Sequence, residues 1–268
     1  QVGVWKALRE LGFDKQIQQI SGSSVGGLNG ALIAQNSYEA AEKIWTTVEA
    51  RNMLTLNDIS AMLEAVGNGV TNATDLYGVF KHAINTKGLL KQDGLKSMID
   101  EGVDGIALSK SALPLTVTAH NKSYNRVDYL EVNGSSDTHK MLLATSALPF
   151  IFADINIGGE IYSDGGFYWG LPNKNIDNSP VKPLVELGCD TIILVYLSAD
   201  DLVHEHVKYP GKRIIPILPT QSLGGVLSTL DFSNDGAKRR IQQGYVDGMH
   251  VLQHIDEIIK NNEHYSAI

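Results

Sequence analysis

The chain has almost no cysteine: one Cys in 268 residues. An internal disulfide is therefore impossible, and the small disulfide-stapled scaffolds are excluded. Basic residues are in deficit, with 22 Lys+Arg against 30 Asp+Glu and a formal net charge of −8. That balance argues against a nucleic-acid groove and supplies no bulk attraction to anionic membranes. Long apolar runs are missing. The longest, Ile192–Leu197, is six residues, far short of the roughly 20 needed to cross a bilayer as a helix. The stretch Val2–Leu11 lacks the basic-then-apolar layout of a secretory signal. No His, Cys and carboxylate cluster has metal-ligand spacing, and the acidic residues are dispersed, so neither a metal nor a cofactor is expected. No repeat of 20–50 residues, low-complexity tract or Pro/Gly-rich linker divides the sequence.

What is present is an apolar fraction of 43%, enough for an ordinary core at this length. Residues 1–268 read as one domain. The spacing of Val2, Val4, Ala7, Leu8 and Leu11 predicts a helix ending at Gly12. Leu28–Gln35 predicts another, and residues 38 to about 105 read as a mostly helical, cap-like elaboration, with Asp93 placed to cap a helix holding Leu95, Met98 and Ile99. Met53, Leu54, Leu56, Met62 and Leu63 give this section an apolar stripe of core type. From Leu113 the pattern changes. Leu115–Ala119 and Val127–Val132 predict a hairpin, Thr138–Ser146 a helix, and Ala153–Ile157 with Ile161–Ser163 a second hairpin. Pro183–Leu187 reads as a helix, and Arg213–Leu218 as a strand. Thr191–Leu197 is a continuous β-branched and aliphatic run, which predicts a strand buried on both faces. Gly236–Ile259 reads as a long last helix. Helices alternating with buried strands imply an α/β fold: a layered sheet flanked by helices.

Two motifs carry chemistry. Gly22-Ser23-Ser24-Val25-Gly26 is a G-x-S-x-G between an expected strand and an expected helix. A sharp strand-to-helix turn lifts the Ser24 hydroxyl out of the sheet, Gly22 and Gly26 admit the tight backbone, and the helix N-terminus presents N–H groups, Val25 first, to a developing oxyanion. Tyr162-Ser163-Asp164-Gly165-Gly166 puts a carboxylate at the end of another strand, the place where α/β sheets gather their functional residues. A nucleophilic serine needs a base. Asp200 or Asp201 with His204, His206, His250 or His254 would follow the chain order of the α/β-hydrolase triad. The polar stretch Asp200–Lys208, however, reads as a solvated loop. Asn72-Ala73-Thr74, Asn121-Lys122-Ser123 and Asn133-Gly134-Ser135 match the short glycosylation pattern. Cys189 reads as structural.

Taken together, the motifs resemble a known family. Val4–Leu8 with Ile20-Ser21-Gly22-Ser23-Ser24-Val25-Gly26-Gly27-Leu28-Asn29-Gly30-Ala31-Leu32 is similar to the nucleophile region of patatin-like phospholipases. Ala144-Thr145-Ser146-Ala147-Leu148-Pro149, followed by Ile161–Gly166, resembles their aspartate region, and Asn178–Val181 with Glu186–Asp190 the elements after it. The likeness spans about residues 2–198, with a weak return at Asp231–Ser233 and Gly244-Tyr245. It implies a Ser-Asp dyad without histidine, Ser24 as nucleophile and Asp164 as its partner, hydrolysing acyl esters of lipids through an acyl-enzyme. Gly165 and Gly166 would support the aspartate turn. The partner implied is a lipid or acyl-ester substrate met in transient contact with a membrane surface. The single Cys and the absence of a visible signal point to the cytoplasm or the periphery of a membrane, with secretion left open. Two departures accompany it. The family's initial strand and glycine-rich oxyanion loop should precede Val4–Leu8, and the sequence begins too late to contain them; Gly3 falls on a helix position. The stretch Phe167–Asp177 is longer than usual and, with Phe167, Tyr168 and Trp169, is placed to line an acyl pocket. A classical Ser-Asp-His esterase and a catalytically silent lipid-binding domain are the rival readings.

Overall fold

The computed structural model describes residues 1–47, 93–148, 152–166, 176–198, 208–223 and 234–255. The chain opens with helix α1 (Val2–Glu10), a 3-10 turn (Phe13–Gln16), strand β1 (Ile20–Ser23) and helices α2 (Val25–Ala34) and α3 (Tyr38–Thr47). It continues with α4 (Asp93–Gly102), α5 (Gly105–Ser109), β2 (Leu115–Asn121), β3 (Arg126–Glu131) and α6 (Thr138–Thr145). The remaining elements are β4 (Ile155–Ile157), β5 (Glu160–Asp164), α7 (Lys182–Glu186), β6 (Thr191–Val195), β7 (Arg213–Ile217) and α8 (Asn234–Leu252).

β2 organises the molecule. Its side chains are almost all buried, as its short, β-branched composition dictates for a strand covered by other elements. β3 pairs antiparallel along one edge, from Thr116–Glu131 to Asn121–Arg126. The other edge is shared by two strands. β1 runs parallel to β2 over Leu115–Thr118, and β5 runs antiparallel over Ala119–Asn121. β4 completes the sheet as the hairpin partner of β5. The turn between them is Gly158-Gly159, with φ of 60° and 92°, the paired positive values that match a two-residue hairpin to the twist of its strands.

The main core lies where α2, α4 and α6 meet this sheet: Leu28, Ala31, Ile99 and Leu142 surround Leu115, Val117 and Ala119. α3 and α4 close on each other, with Ile44 against Gly102, so both described ends of the helical section return to this core. A second core joins Val4, Ala7 and Leu8 of α1 to Ile215 and Ile217 of β7 and Leu252 at the end of α8. Gly3 is buried where α1 crosses α8, and any side chain there would strike the backbone at Ile241 and Tyr245. Gly3 thus lies within a helix, as its place in the sequence predicts, and the structure adds that it is where two helices cross.

β6 departs from expectation. It ends at Val195 and pairs only with β7 among the described residues, in parallel register from Thr191–Arg213 to Val195–Ile217. Ile192 is buried, Ile193 to Val195 are half-buried, Thr191 is exposed and Leu197 is 43% exposed. Ile193 and Val195 pack on the second core. A two-stranded ribbon gives a strand less cover than a central sheet position, so the apolar run marks a strand without securing burial on both faces.

Two glycosylation-type asparagines are structural. Asn121 is fully buried, and its Nδ2 donates to Asp128 (2.7 Å), Glu160 (2.6 Å) and Tyr162 (3.2 Å). Asn133 Nδ2 donates to the carbonyls of Leu108, Ser111 and Leu113, while its Oδ1 accepts the Leu115 N–H at 2.6 Å. Asp93 is the first residue of α4. Cys189 is half-buried, and burial pushes its thiol up in pKa, which keeps it protonated and inert at neutral pH. Asn72, the apolar stripe Met53–Leu63, Asp200, Asp201, His204, His206, Phe167, Tyr168, Trp169 and Asp231–Ser233 lie outside the described residues. Among the described residues no helix is long and apolar enough to cross a membrane, and no group of three or more His, Cys, Asp and Glu could hold a metal ion.

Candidate active site

β1 and β5 approach each other head-on along one edge of β2. β1 runs with β2 and ends with Ser23 opposite Thr118. β5 runs against β2 and ends with Asp164 opposite the next residue, Ala119. Ser24 follows Ser23 directly, so the ends of the two strands deliver Ser24 and Asp164 to one place. Neighbouring positions along a strand are only about 3.3 Å apart.

The Ser24 turn has the expected form. β1 ends at Ser23, α2 begins at Val25, and Ser24 between them has φ 52° and ψ −129°. A residue with a β-carbon adopts this backbone at a cost of about 1–3 kcal/mol and holds it only where the surroundings over-determine it. Three contacts do so. A β-carbon on Gly22 would lie 2.5 Å from Gly26 C and O and 2.7 Å from Gly27 N, so the chain doubles back on itself with no room for a side chain. The Gly27 N–H donates to Ser24 O at 2.9 Å, closing the first turn of α2. The Ser24 N–H donates to Thr145 Oγ1 at 3.0 Å. Ser24 and Val25 are half-buried, reachable from outside. Val25 and Gly26 contribute the first N–H groups of α2, which have no intrahelical acceptor. Gln1 rests against this turn, with its Oε1 accepting from Asn29 Nδ2 at 2.6 Å.

Asp164 is 1% exposed. Its N–H donates to Ala147 O at 2.8 Å, and its Oδ1 accepts the Gly166 N–H at 2.8 Å, which folds the Asp-Gly-Gly turn back over the carboxylate. Gly165 passes over β2 so closely that a β-carbon would lie 2.8 Å from Ala119 N and Thr118 C. Gly166 abuts Ser23 Oγ and Asn178 Oδ1. The turn is braced from outside by the segment after it. Asp177 N–H donates to Gly165 O at 2.8 Å, and Thr118 Oγ1 donates to Asp177 O at 3.3 Å. Tyr129 Oη donates to Asp177 Oδ2 at 2.8 Å, and burial together with that carboxylate raises the pKa of the phenol.

The sequence-predicted residues Ser24, Val25, Gly22, Gly26, Asp164, Gly165 and Gly166 therefore share one locality. Thr145, Ala147, Asp177 and Asn178 join them, and sequence reasoning assigned none of these a role. The Ala144–Pro149 and Asn178–Val181 blocks were the available signal. His250 and His254 lie at the C-terminal end of α8 and the turn after it, their rings edge to face at 6.4 Å.

No curated protein matches the chain. Nine solved chains match. Among them is the crystal structure of VipD from Legionella pneumophila, with a TM-score of 0.46 at 14% identity over 94% of this chain. The chain spans 64% of the length of that structure. The family model for patatin-like phospholipases matches residues 1–184, more than half of the sequence, and the chain belongs to that family.

Proposed function

We propose that the protein is a lipid acyl hydrolase of phospholipase A type, in which Ser24 and Asp164 form a dyad working through an acyl-enzyme. The head-on meeting of β1 and β5 opposite Thr118 and Ala119 carries this reading, because it brings the strained serine turn and a buried carboxylate together. Ser24 Oγ attacks the ester carbonyl carbon while its proton passes to Asp164. The oxyanion is met by the N–H groups of Val25 and Gly26 and by the positive end of α2. Asp164 returns the proton to the departing alcohol, leaving the acyl group on Ser24. Water then attacks the acyl carbon, Asp164 takes the water's proton, and the fatty acid leaves as Ser24 recovers its hydrogen. Residues 1–268 act as one domain. The enzyme meets lipid surfaces through apolar contact rather than broad charge attraction, given its net charge of −8.

The test is hydrolysis of a short-chain nitrophenyl ester and of phosphatidylcholine vesicles, combined with fluorophosphonate labelling. Ser24→Ala abolishes hydrolysis and labelling. Asp164→Asn lowers kcat by roughly 10³-fold or more, as expected for loss of both base and acid. A fully active Ser24→Ala variant would sink the reading. An active Asp164→Asn together with a dead His250→Ala or His254→Ala would replace it with a histidine triad. Failure of the intact protein to be labelled would point to a silent lipid-binding domain.

A further inference from the structure

We infer that Thr145 is a positioning residue for the reaction, and that the segment Thr145–Ala147 is a clamp holding the two halves of the dyad in register. The inference rests on the reading of Ser24 as nucleophile and goes beyond it.

The two candidate catalytic residues arrive on separate strands, and the pairing of those strands with β2 leaves Ser24 itself outside any ladder. A third element ties them together. Thr145, the last residue of α6, is completely buried and accepts the Ser24 N–H on Oγ1 at 3.0 Å. Two residues later the carbonyl of Ala147 accepts the Asp164 N–H at 2.8 Å. One three-residue stretch thus fixes the backbone on both sides of the proposed proton transfer. The stretch is itself anchored, since Ser146 N–H bonds Leu143 O and Ala147 N–H bonds Ala144 O at 3.2 Å each. The Thr145 methyl faces Gly27, whose missing side chain lets α6 come this close to α2: a β-carbon on Gly27 would lie 3.0 Å from Thr145 Cγ2. A threonine fits both demands at once, with the methyl against the helix and the hydroxyl against the serine amide.

The bond has a chemical consequence. It commits the Ser24 N–H to Thr145, which leaves the oxyanion to the next two amides of the turn, Val25 and Gly26. It also sets the tilt of the Ser24 peptide. Without the acceptor, the strained turn relaxes and Ser24 Oγ moves away from Asp164, and misplacement by about 1 Å costs up to roughly 10²-fold in rate.

The experiment compares Thr145→Val, which keeps shape and methyl but removes the acceptor, with Thr145→Ser, which keeps the acceptor. In the intact protein, Thr145→Val lowers kcat and the fluorophosphonate labelling rate by roughly 10- to 100-fold, with KM changed less than about 2-fold. Thr145→Ser stays within about 3-fold of the parent in kcat. Rates are normalised to folded protein, with Asn133→Ala as a destabilised control distant from the dyad. Labelling of Thr145→Val at the parental rate overturns the inference. So does equal loss in the Val and Ser variants, or a rise in KM at constant kcat. Full activity of Ser24→Ala is a different failure: it removes the nucleophile itself, whatever the Thr145 variants do.

Discussion

Gly166 lies against Ser23, so that a β-carbon added to Gly166 would collide with Ser23 Oγ and lie 2.5 Å from Asn178 Oδ1. The residue two places after Asp164 thus touches the residue just before Ser24. Gly166 also donates its N–H to Asp164 Oδ1 at 2.8 Å. Gly166→Ala must displace Ser23, Asn178 or the turn itself. The expected result is a fall in kcat of roughly 10- to 100-fold, with a stability loss of only about 1–3 kcal/mol, as for overpacking elsewhere. Steady-state kinetics and thermal melting of the same preparation check it. Unchanged kcat would show that the turn yields without disturbing the proposed dyad.

The two glycines of the serine motif are not equivalent. A side chain at Gly22 meets backbone, at 2.5 Å from Gly26 and 2.7 Å from Gly27 N, and backbone cannot move aside as a rotamer can. At Gly26 the nearest atom is the flexible Gln1 Nε2 at 3.3 Å. Gly22→Ala is expected to prevent soluble expression or remove activity entirely. Gly26→Ala is expected to retain the fold and to hydrolyse ester within about 10-fold of the parent. Parallel expression and assay decide the point, and an active Gly22→Ala would contradict the doubled-back geometry.

The strain at Ser24 predicts that removing its β-carbon stabilises the protein. At φ 52° and ψ −129° a β-carbon costs about 1–3 kcal/mol, whereas glycine is at home there but loses more entropy on folding, by roughly 0.5–1 kcal/mol. Ser24→Gly is therefore expected to be about 1 kcal/mol more stable than Ser24→Ala, roughly 2–4 °C in Tm for a chain of this size. Both variants lack the Ser24 hydroxyl, so the proposed catalysis plays no part in the comparison. Ser24→Gly melting at or below Ser24→Ala would show the turn to be unstrained.

These contacts also mark how far the sequence could be read. The serine and aspartate motifs were legible because each needs a local backbone that only certain residues allow: Gly22 where the chain doubles back, Gly165 where it brushes β2, and Gly166 where it abuts Ser23 and Asn178. The hairpin at Gly158-Gly159 was legible for the same reason. Thr145 was not, because its role depends on a partner 121 residues away, and nothing in helical spacing says which side chain will face it. Asn121 and Asn133 matched a surface modification pattern, yet burial converts one into the hub of a polar cluster and the other into a loop anchor. The run Thr191–Val195 overstated its own burial, since apolarity identifies a strand but the number of neighbouring strands is a tertiary property. The family likeness placed the motifs on a common fold, and their meeting on one edge of β2 is the physical form that likeness takes.

The polar cluster at the far end of β2 predicts a pH dependence of stability. Asp128 is partly buried, which works to raise the pKa of its carboxyl. Arg126 Nε at 2.6 Å, Asn121 Nδ2 at 2.7 Å and Tyr162 Oη at 3.2 Å outweigh that and hold it below the usual carboxylate range. The ionised form is therefore favoured more in the folded chain than in the unfolded one. The resulting stabilisation is complete above the unfolded value of about 4 and is lost as pH falls through the depressed folded value. Glu160, which shares Asn121 Nδ2 and Tyr162 Oη with Asp128 through its Oε2, adds a second carboxylate to the same spot. Asp128→Asn is expected to lower Tm at pH 7 by roughly 2–4 °C, a modest effect because Arg126 is exposed to solvent. The gap between variant and parent should narrow as pH falls below about 4 and close as the parent's Asp128 takes up its proton at its depressed folded value. Thermal melts across that range measure the gap directly. A gap that stays constant would mean that the Asp128 contacts act through shape and hydrogen bonding alone, with no contribution from its charge.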